Sequence, residues 1–488
     1  MRPRHIAYII WTVIALLGVV SWIVPENGFS FGRHTLRWPT LTEALDLKED
    51  SITEVDLDIL NDSILAEADT VDLIPTDSPI QQDTLAAKDS VPKKPQPVIP
   101  EVNIVNTDSR AYLTAFYAAL DSANSMPVRV VHYGDSQIEE DRITSILREQ
   151  WQLAYGGGGV GLIPLHQTIP TRTIRQWIRM NDKVQSTQGG PKRYLVYGPR
   201  SMRLTQSDDY GVMGQVALMD STLVKGSEDI VLNIEPIDKK RKPHNYFNRI
   251  RVLTDSIDGY VLTNDTILHY TTQSYTTLHY TLPDSTTHLQ LHLQGKGHVY
   301  GISLETDKGV IVDNIPMRGC SGNIFTKIDS TQLSDFYRET NTRLIILQFG
   351  GNMIPQTENP STISGYVRST LRQQVRYIRA CAPEASILFI GPSDMSTNID
   401  GQMTTYPLVP YMDKLLKKMA TEEQIAYWSI YDAMGGKDSM VRWVEKGLAG
   451  SDYVHFTRTG ANKMGKMLYE WLMDYQPDSL NTQLETPN

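Results

Sequence analysis

The sequence predicts an α/β fold: a three-layer α/β/α sandwich that carries an inserted β-sandwich domain and is preceded by an N-terminal transmembrane helix. Three observations support this prediction. Apolar runs of strand length alternate with helical segments in two separate parts of the chain, which is typical of parallel β-α units. Residues 165–310, between those parts, carry short alternating runs separated by turn signals. A long uncharged segment stands near the N-terminus.

Residues 1–25 are predicted to form a membrane anchor. Residues 6–24 (IAYIIWTVIALLGVVSWIV) carry no charge, and a helix of this length measures about 28 Å, enough to cross the bilayer core. Arg2 and Arg4 favour a cytoplasmic N-terminus. A cleaved signal peptide is the alternative, but its apolar region is usually shorter and ends in small residues.

Residues 26–106 are predicted to form an extended spacer. Acidic residues recur from Glu43 to Asp89 with only Lys48 and Lys88 against them, and a Pro-rich run follows. Such a sequence buries too little apolar surface to fold alone. Its isolated Leu and Ile residues could instead bind a partner.

The α/β domain is predicted in two pieces, residues 107–164 and 311–476, followed by a tail at 477–488. Both pieces alternate strands and helices. The predicted strands are residues 128–133, 343–349, 386–391 and 425–431, and the predicted helices are residues 110–122, 143–155, 363–380, 411–423 and 459–474. In parallel sheets of this kind, functional groups gather at the carboxyl ends of the strands.

Composition excludes several functions. A net charge of −10 argues against a nucleic-acid partner, which needs clustered Lys and Arg. The only cysteines, Cys320 and Cys381, give no C-x-x-C metal signature. They could pair in an oxidising compartment, but we favour two buried thiols. The glycine-rich turn at 156–161 lacks the Gly-Lys-Ser/Thr of a phosphate loop. We therefore expect no metal ion and no cofactor.

Candidate catalytic groups follow predicted strands. Ser136 comes after strand 128–133, and with Glu139 it fits the S-x-x-E capping box, so it is either a helix cap or a nucleophile. A serine nucleophile needs a base and a group that orients the base. Asp452 and His455 lie three residues apart in the loop before the last helix. Taken alone, this pair is weak evidence.

Two further segments could supply oxyanion donors. Gly351-Asn352 follows strand 343–349, where the glycine permits a tight turn and the asparagine presents an amide. Ser321-Gly322 lies in a loop that offers a backbone N–H at a glycine. Each segment alone is an ordinary turn or loop.

Together these segments resemble a known family. The four blocks, in chain order, are Gly134-Asp135-Ser136, Ser321-Gly322, Gly351-Asn352 and Asp452-x-x-His455. They resemble the conserved blocks of the SGNH (GDSL) hydrolase superfamily, whose domain is a flavodoxin-like α/β/α sandwich.

The resemblance implies a role for each residue. Ser136 would be the nucleophile, His455 the general base and Asp452 the group that orients His455. The oxyanion donors would be the Ser136 N–H, the Gly322 N–H and the Asn352 side chain.

Within the superfamily, the chain resembles peptidoglycan O-acetylesterases of the Ape type, which carry a carbohydrate-binding-module-like β-sandwich at the position of residues 165–310. Gln137 stands where the name motif has Leu, and Met353 where many members have Asp. The implied function is a serine esterase that removes O-acetyl groups from a cell-envelope glycan, foremost peptidoglycan, through an acyl-enzyme.

Two other functions stay open. An O-acetyltransferase acting on an envelope polysaccharide would use the same residues with a sugar hydroxyl as acceptor, and a membrane-bound acyltransferase partner would suit the anchor. The second open function is that of a non-catalytic glycan-binding protein. In each case we expect a single-pass protein of the bacterial inner membrane with its globular part in the periplasm, or a protein secreted after signal cleavage.

Ser136 permits a test of these interpretations. A full capping box uses the Glu139 carboxylate to accept the Ser136 N–H, whereas catalysis needs that N–H for the oxyanion. We predict that Glu139 points away and that the Ser136 hydroxyl faces His455.

Overall fold

The computed structural model describes residues 29–31, 34–36, 99–104, 108–186, 189–198, 210–263, 266–271 and 276–475. The predicted anchor at 1–25, most of the predicted spacer at 26–106 and the tail at 477–488 lie outside these ranges. Within them, no helix combines the length and apolar character that a membrane span requires.

The strands of the described ranges are, in chain order, β1 (Phe29–Phe31), β2 (His34–Leu36), β3 (Pro127–Gly134), β4 (Gly161–Ile163), β5 (Ile174–Met180), β6 (Lys183–Val184), β7 (Lys192–Leu195), β8 (Gln215–Leu218), β9 (Asp229–Pro236), β10 (Phe247–Thr254), β11 (Ile257–Thr263), β12 (Thr266–Thr271), β13 (Thr276–Thr286), β14 (Leu289–Gly295), β15 (His298–Glu305), β16 (Gly309–Pro316), β17 (Thr342–Gln348), β18 (Ser386–Ile390), β19 (Ser396–Ile399), β20 (Gln402–Thr405) and β21 (Ala426–Trp428). The first two strands pair with each other in antiparallel orientation.

The α-helices of the same ranges are α1 (Thr114–Asp121), α2 (Thr144–Tyr155), α3 (Ser330–Glu339), α4 (Pro360–Gly365), α5 (Arg372–Cys381), α6 (Val409–Glu422), α7 (Ile430–Met434), α8 (Ser439–Glu445) and α9 (Arg458–Met473). Shorter helical turns lie at Ser109–Leu113, Ser136–Asp141, Pro243–Asn245, Phe325–Lys327 and Gly351–Gln356, and a π-helical turn at Tyr366–Leu371 joins α4 to α5.

A five-stranded parallel sheet in the order β16-β3-β17-β18-β21 forms the centre of the α/β domain. Successive side chains of a strand point to opposite faces. Val131 accordingly packs in a buried cluster with residues of α3, α5 and α6, whereas Val130 packs in a second cluster with residues of α1, α2 and α9. Helices therefore cover both faces of the sheet, as predicted for an α/β/α sandwich.

The predicted strands 128–133, 343–349 and 386–391 are confirmed by β3, β17 and β18. The predicted strand 425–431 is wrong beyond Trp428, because the Ser429 hydroxyl accepts the Asp432 N–H and begins α7 there. A helical turn does begin at Ser136, but it is short. That turn breaks at residues 139–141, and α2 begins only at Thr144.

Two antiparallel sheets lie between β3 and β16 in the sequence. Their orders are β13-β10-β15-β8-β7, with β4 beside β15, and β12-β11-β14-β9-β5-β6. Buried residues of both sheets, such as Ile250 on β10 and Leu291 on β14, share one apolar cluster. The bounds 165–310 for an inserted domain stay a prediction.

A buried charge network joins β15 to the parallel sheet. The fully buried Arg129 on β3 donates to Asp313 on β16 at 2.6 and 2.8 Å and also binds Glu305 on β15. Arg251 on β10 binds the same Glu305. Because each carboxylate has a cationic partner, their burial is compensated.

Candidate active site

Ser136 stands where β3 ends and the chain turns away from the sheet. Asp135 caps this turn, since its Oδ1 accepts the Gln137 N–H at 3.0 Å. Glu140 and Asp141, further along the turn, both have positive φ angles of 57° and 66°. Left-handed backbone is unfavourable for such residues, and it occurs most often near functional sites.

The structure brings Ser136, His455 and Asp452 together. Ser136 Oγ lies 2.9 Å from His455 Nε2, and His455 Nδ1 lies 2.7 Å from Asp452 Oδ2. Asp452 Oδ1 also accepts the N–H groups of Val454 at 2.9 Å and His455 at 3.1 Å. Partial burial raises the pKa of Asp452, but the hydrogen bond and charge of His455 outweigh burial and lower it below the usual value. An ionised Asp452 therefore accepts from Nδ1–H and leaves Nε2 free to accept the serine proton.

Gly322 lies in the loop between β16 and α3, where only glycine fits. Its φ is +86°, and a Cβ there would lie 2.8 Å from Phe349 Cβ. Its N–H donates to Cys320 Sγ at 3.3 Å. Sulfur is a weak acceptor, so this N–H is easily released to a better one.

Asn352 connects Asp135, which caps the turn at Ser136–Asp141, to the loop that holds Gly322. Its Nδ2 donates to Asp135 Oδ2 at 3.2 Å and to the Cys320 carbonyl oxygen at 3.1 Å. An amide nitrogen carries two N–H groups, so both are used in this structure. Burial raises the pKa of Asp135 to about 6, although the Gln137 N–H and the charge of His455 favour its ionised form.

As predicted, Glu139 points away from the Ser136 N–H and does not cap the turn. Its two carboxylate oxygens each accept from Arg318 Nε at 3.0 Å. Because Arg318 lies in the same loop as Gly322, this ion pair fixes that loop to the turn at Ser136–Asp141. The predicted approach of Ser136 to His455 is confirmed as well.

Sequence reasoning missed the contacts that hold these blocks together. Arg318 is 179 positions from its partner Glu139, and no local pattern marks such a pair. Gln137 was noted only as a departure from the name motif, yet its Nε2 donates to the Val454 carbonyl oxygen at 2.7 Å. Its polar character beside Ser136 was the available signal.

Thiol chemistry has no support at this site. Cys320 and Cys381 are free and buried, and burial raises the pKa of the Cys320 thiol to about 11. The thiol stays protonated at neutral pH and is a poor nucleophile. In the part of the chain that the structure describes, no group of His, Cys, Asp and Glu side chains is arranged to hold a metal ion.

Comparisons with known proteins show which families and folds this chain is similar to. The model of the GDSL-like lipase/acylhydrolase family matches residues 284–463, which include Gly322, Asn352, Asp452 and His455 but not Ser136. No curated protein matches the chain.

Several solved structures are similar to this chain. A peptidoglycan O-acetylesterase shares 20% identity with a TM-score of 0.57 over 75% of this chain and 98% of that chain. A family two carbohydrate esterase from Cellvibrio japonicus shares 10% identity with a TM-score of 0.24 over 61% of this chain and 99% of that chain. A family two carbohydrate esterase from Clostridium thermocellum in complex with cellohexaose shares 10% identity with a TM-score of 0.23 over 50% and 91%.

Residues 284–463 are therefore similar to GDSL-like lipases and acylhydrolases. The fold of the chain is similar to that of a peptidoglycan O-acetylesterase.

Proposed function

We propose that this chain is a serine esterase that removes O-acetyl groups from a cell-envelope glycan, foremost peptidoglycan. One observation carries the proposal: the hydrogen-bonded series from Ser136 Oγ through the His455 ring to Asp452 Oδ2, with links of 2.9 and 2.7 Å. The site lies at the carboxyl ends of the parallel strands, where a polymer can lie across it.

The first half of the reaction forms an acyl-enzyme. His455 Nε2 takes the proton from Ser136 Oγ while the oxygen attacks the acetyl carbonyl carbon. Asp452 stabilises the imidazolium that results. His455 then gives this proton to the sugar oxygen, the ester C–O bond breaks, and the acetyl group stays on Ser136.

The second half regenerates the enzyme. His455 takes a proton from a water molecule, which attacks the acetyl carbonyl, and returns the proton to Ser136 Oγ as acetate leaves. The oxyanion of each tetrahedral intermediate accepts from the Ser136 N–H, the Gly322 N–H and Asn352 Nδ2. The Gly322 N–H gives up a weak hydrogen bond to Cys320 Sγ and forms a stronger one to the oxyanion. This change stabilises the transition state relative to the resting site.

The two antiparallel sheets between β3 and β16 are proposed to be an inserted β-sandwich domain at residues 165–310 that holds the glycan, as a carbohydrate-binding module does. Residues 1–25 would anchor the protein in the bacterial inner membrane, and residues 26–106 would extend the catalytic domain into the periplasm. The anchor and the spacer rest on the sequence patterns alone, whereas the inserted domain rests also on the similarity in fold to a peptidoglycan O-acetylesterase.

The test is acetate release from O-acetylated peptidoglycan by the full-length protein, compared with its Ser136→Ala variant. We expect Ser136→Ala to lower the rate by on the order of 10³-fold or more, because the nucleophile is lost. Ser125→Ala is the matched control, since the exposed Ser125 hydroxyl donates only to the Ser122 carbonyl oxygen.

Two results would overturn the proposal. Full acetate release by Ser136→Ala would exclude the serine mechanism. Acetyl transfer to a glycan hydroxyl that outpaces hydrolysis, alone or with a membrane-bound acyltransferase partner, would assign a transferase instead.

A further inference from the structure

Gln137 joins the turn at Ser136–Asp141 to the loop that carries His455. It directly follows Ser136 and is only 7% exposed. Its Nε2 donates to the Val454 carbonyl oxygen at 2.7 Å and to Ser393 Oγ at 3.2 Å. Val454 directly precedes His455, so one side chain connects the neighbours of the nucleophile and the base. We propose that Gln137 is a positioning residue that holds His455 at hydrogen-bonding distance from Ser136, an inference that rests on the proposed function.

The chemistry of the contact fixes which end of the amide faces Val454. The Val454 carbonyl oxygen can only accept a hydrogen bond. If the Gln137 amide were turned the other way, its Oε1 would lie at 2.7 Å from this oxygen with no proton between the two acceptors. Nε2 must therefore be the donor. Oε1, at the other end, is buried with no hydrogen-bond partner among the described residues. A buried acceptor without a partner costs stability, which an apolar side chain here would avoid.

The loop that carries His455 needs such a contact. The His455 side chain is 30% exposed, so packing alone restrains it weakly. Tyr453, two positions earlier, has a φ of 56°, which is unfavourable for a residue with a side chain. The Ser396 N–H donates to the Tyr453 carbonyl oxygen at 3.1 Å, and Gln137 Nε2 donates to the carbonyl oxygen of the next residue, Val454. These contacts tie the base loop to two other strand-end segments of the site.

Leucine, the residue of the name motif at this position, has a similar size but no donor. It could fill the space and leave the Val454 carbonyl oxygen without this hydrogen bond. Because small displacements of a catalytic group lower the reaction rate strongly, the loss of this bond should act on kcat more than on KM.

The test compares Gln137→Met with Gln152→Met in the full-length protein. Methionine keeps the length of the side chain and removes the amide. Gln152 is a matched control: it is also buried, its Nε2 donates to the carbonyl oxygens of Gly159 at 3.0 Å and Val310 at 3.3 Å, and its Oε1 also has no partner among the described residues. It lies on α2, outside the candidate active site.

Four quantities are measured for each variant: the melting temperature, kcat and KM for 4-nitrophenyl acetate, and the rate at which a fluorophosphonate labels Ser136. We expect similar losses of melting temperature in both variants. Gln137→Met should lower kcat and the labelling rate by about 10- to 100-fold with KM within about twofold, and Gln152→Met should change neither rate.

Two outcomes would overturn the positioning role. One is a kcat of Gln137→Met within about twofold of the wild-type value; the other is an equal loss of kcat in both variants, which would mean general destabilisation. These outcomes are distinguishable from a failure of the proposed function. If the proposed function is wrong, the wild-type protein itself does not hydrolyse the ester, or the fluorophosphonate does not label its Ser136.

Discussion

Asn352→Ala tests the oxyanion site quantitatively. Removal of one oxyanion donor typically raises the barrier by about 2.7–4 kcal/mol. In this structure, Asn352 Nδ2 already donates to Asp135 at 3.2 Å and to the Cys320 carbonyl oxygen at 3.1 Å, so one of these bonds must break before it serves the oxyanion. Such a bond contributes about 0.5–1.5 kcal/mol net. The remaining effect is about 2–3 kcal/mol, a fall in kcat of about 30- to 200-fold.

The assay is steady-state hydrolysis of 4-nitrophenyl acetate, with thermal unfolding measured beside it. Asn359→Ala is the control, because Asn359 Oδ1 caps α4 by accepting the Ser361 N–H at 2.9 Å and lies outside the candidate site. It should cost about 1 kcal/mol of stability and leave kcat unchanged. A kcat for folded Asn352→Ala within about threefold of the wild-type value would refute the assignment of Asn352 as an oxyanion donor.

Three further predictions concern stability and the loops of the site. Gly322→Ala should lower the free energy of unfolding by about 2–4 kcal/mol in urea titrations and lower kcat as well, because the new Cβ meets Phe349 in a left-handed backbone. Arg318→Met should cost about 2–3 kcal/mol, because it leaves the Glu139 carboxylate buried without its cation, and adding Glu139→Gln in a double-mutant cycle should recover at least half of this loss. Burial raises the pKa of Asp413 to about 6, so the folded state binds this proton more tightly than the unfolded state does, and the free energy of unfolding should fall by about 2–3 kcal/mol as the pH rises from 4 to 6; Asp413→Asn should remove that part of the pH dependence.

The parallel sheet could be predicted because its strands are buried on both faces. Residues 343–349 and 386–391 are apolar runs of strand length, and β17 and β18 match them within one residue at each end. Residues 425–431 look equally apolar, but the Ser429 cap ends the strand and begins a helix. Local capping chemistry there outweighs the apolar pattern.

The candidate site was predictable where its residues form short blocks beside strand ends. Asp452 and His455 are separated by only two residues, and Ser136 directly follows a strand. The contacts of Arg318 and Gln137 were not predictable, because their partners lie 179 and 317 positions away and depend on the tertiary structure.

The central claim is that Ser136 is a nucleophile activated by His455, and covalent labelling tests it most directly. The full-length protein is treated with a fluorophosphonate, digested and analysed by peptide mass spectrometry. We expect a single phosphonyl adduct on the peptide that contains Ser136, absent in Ser136→Ala and formed far more slowly in His455→Ala. An adduct on another residue, or undiminished labelling of His455→Ala, would contradict it.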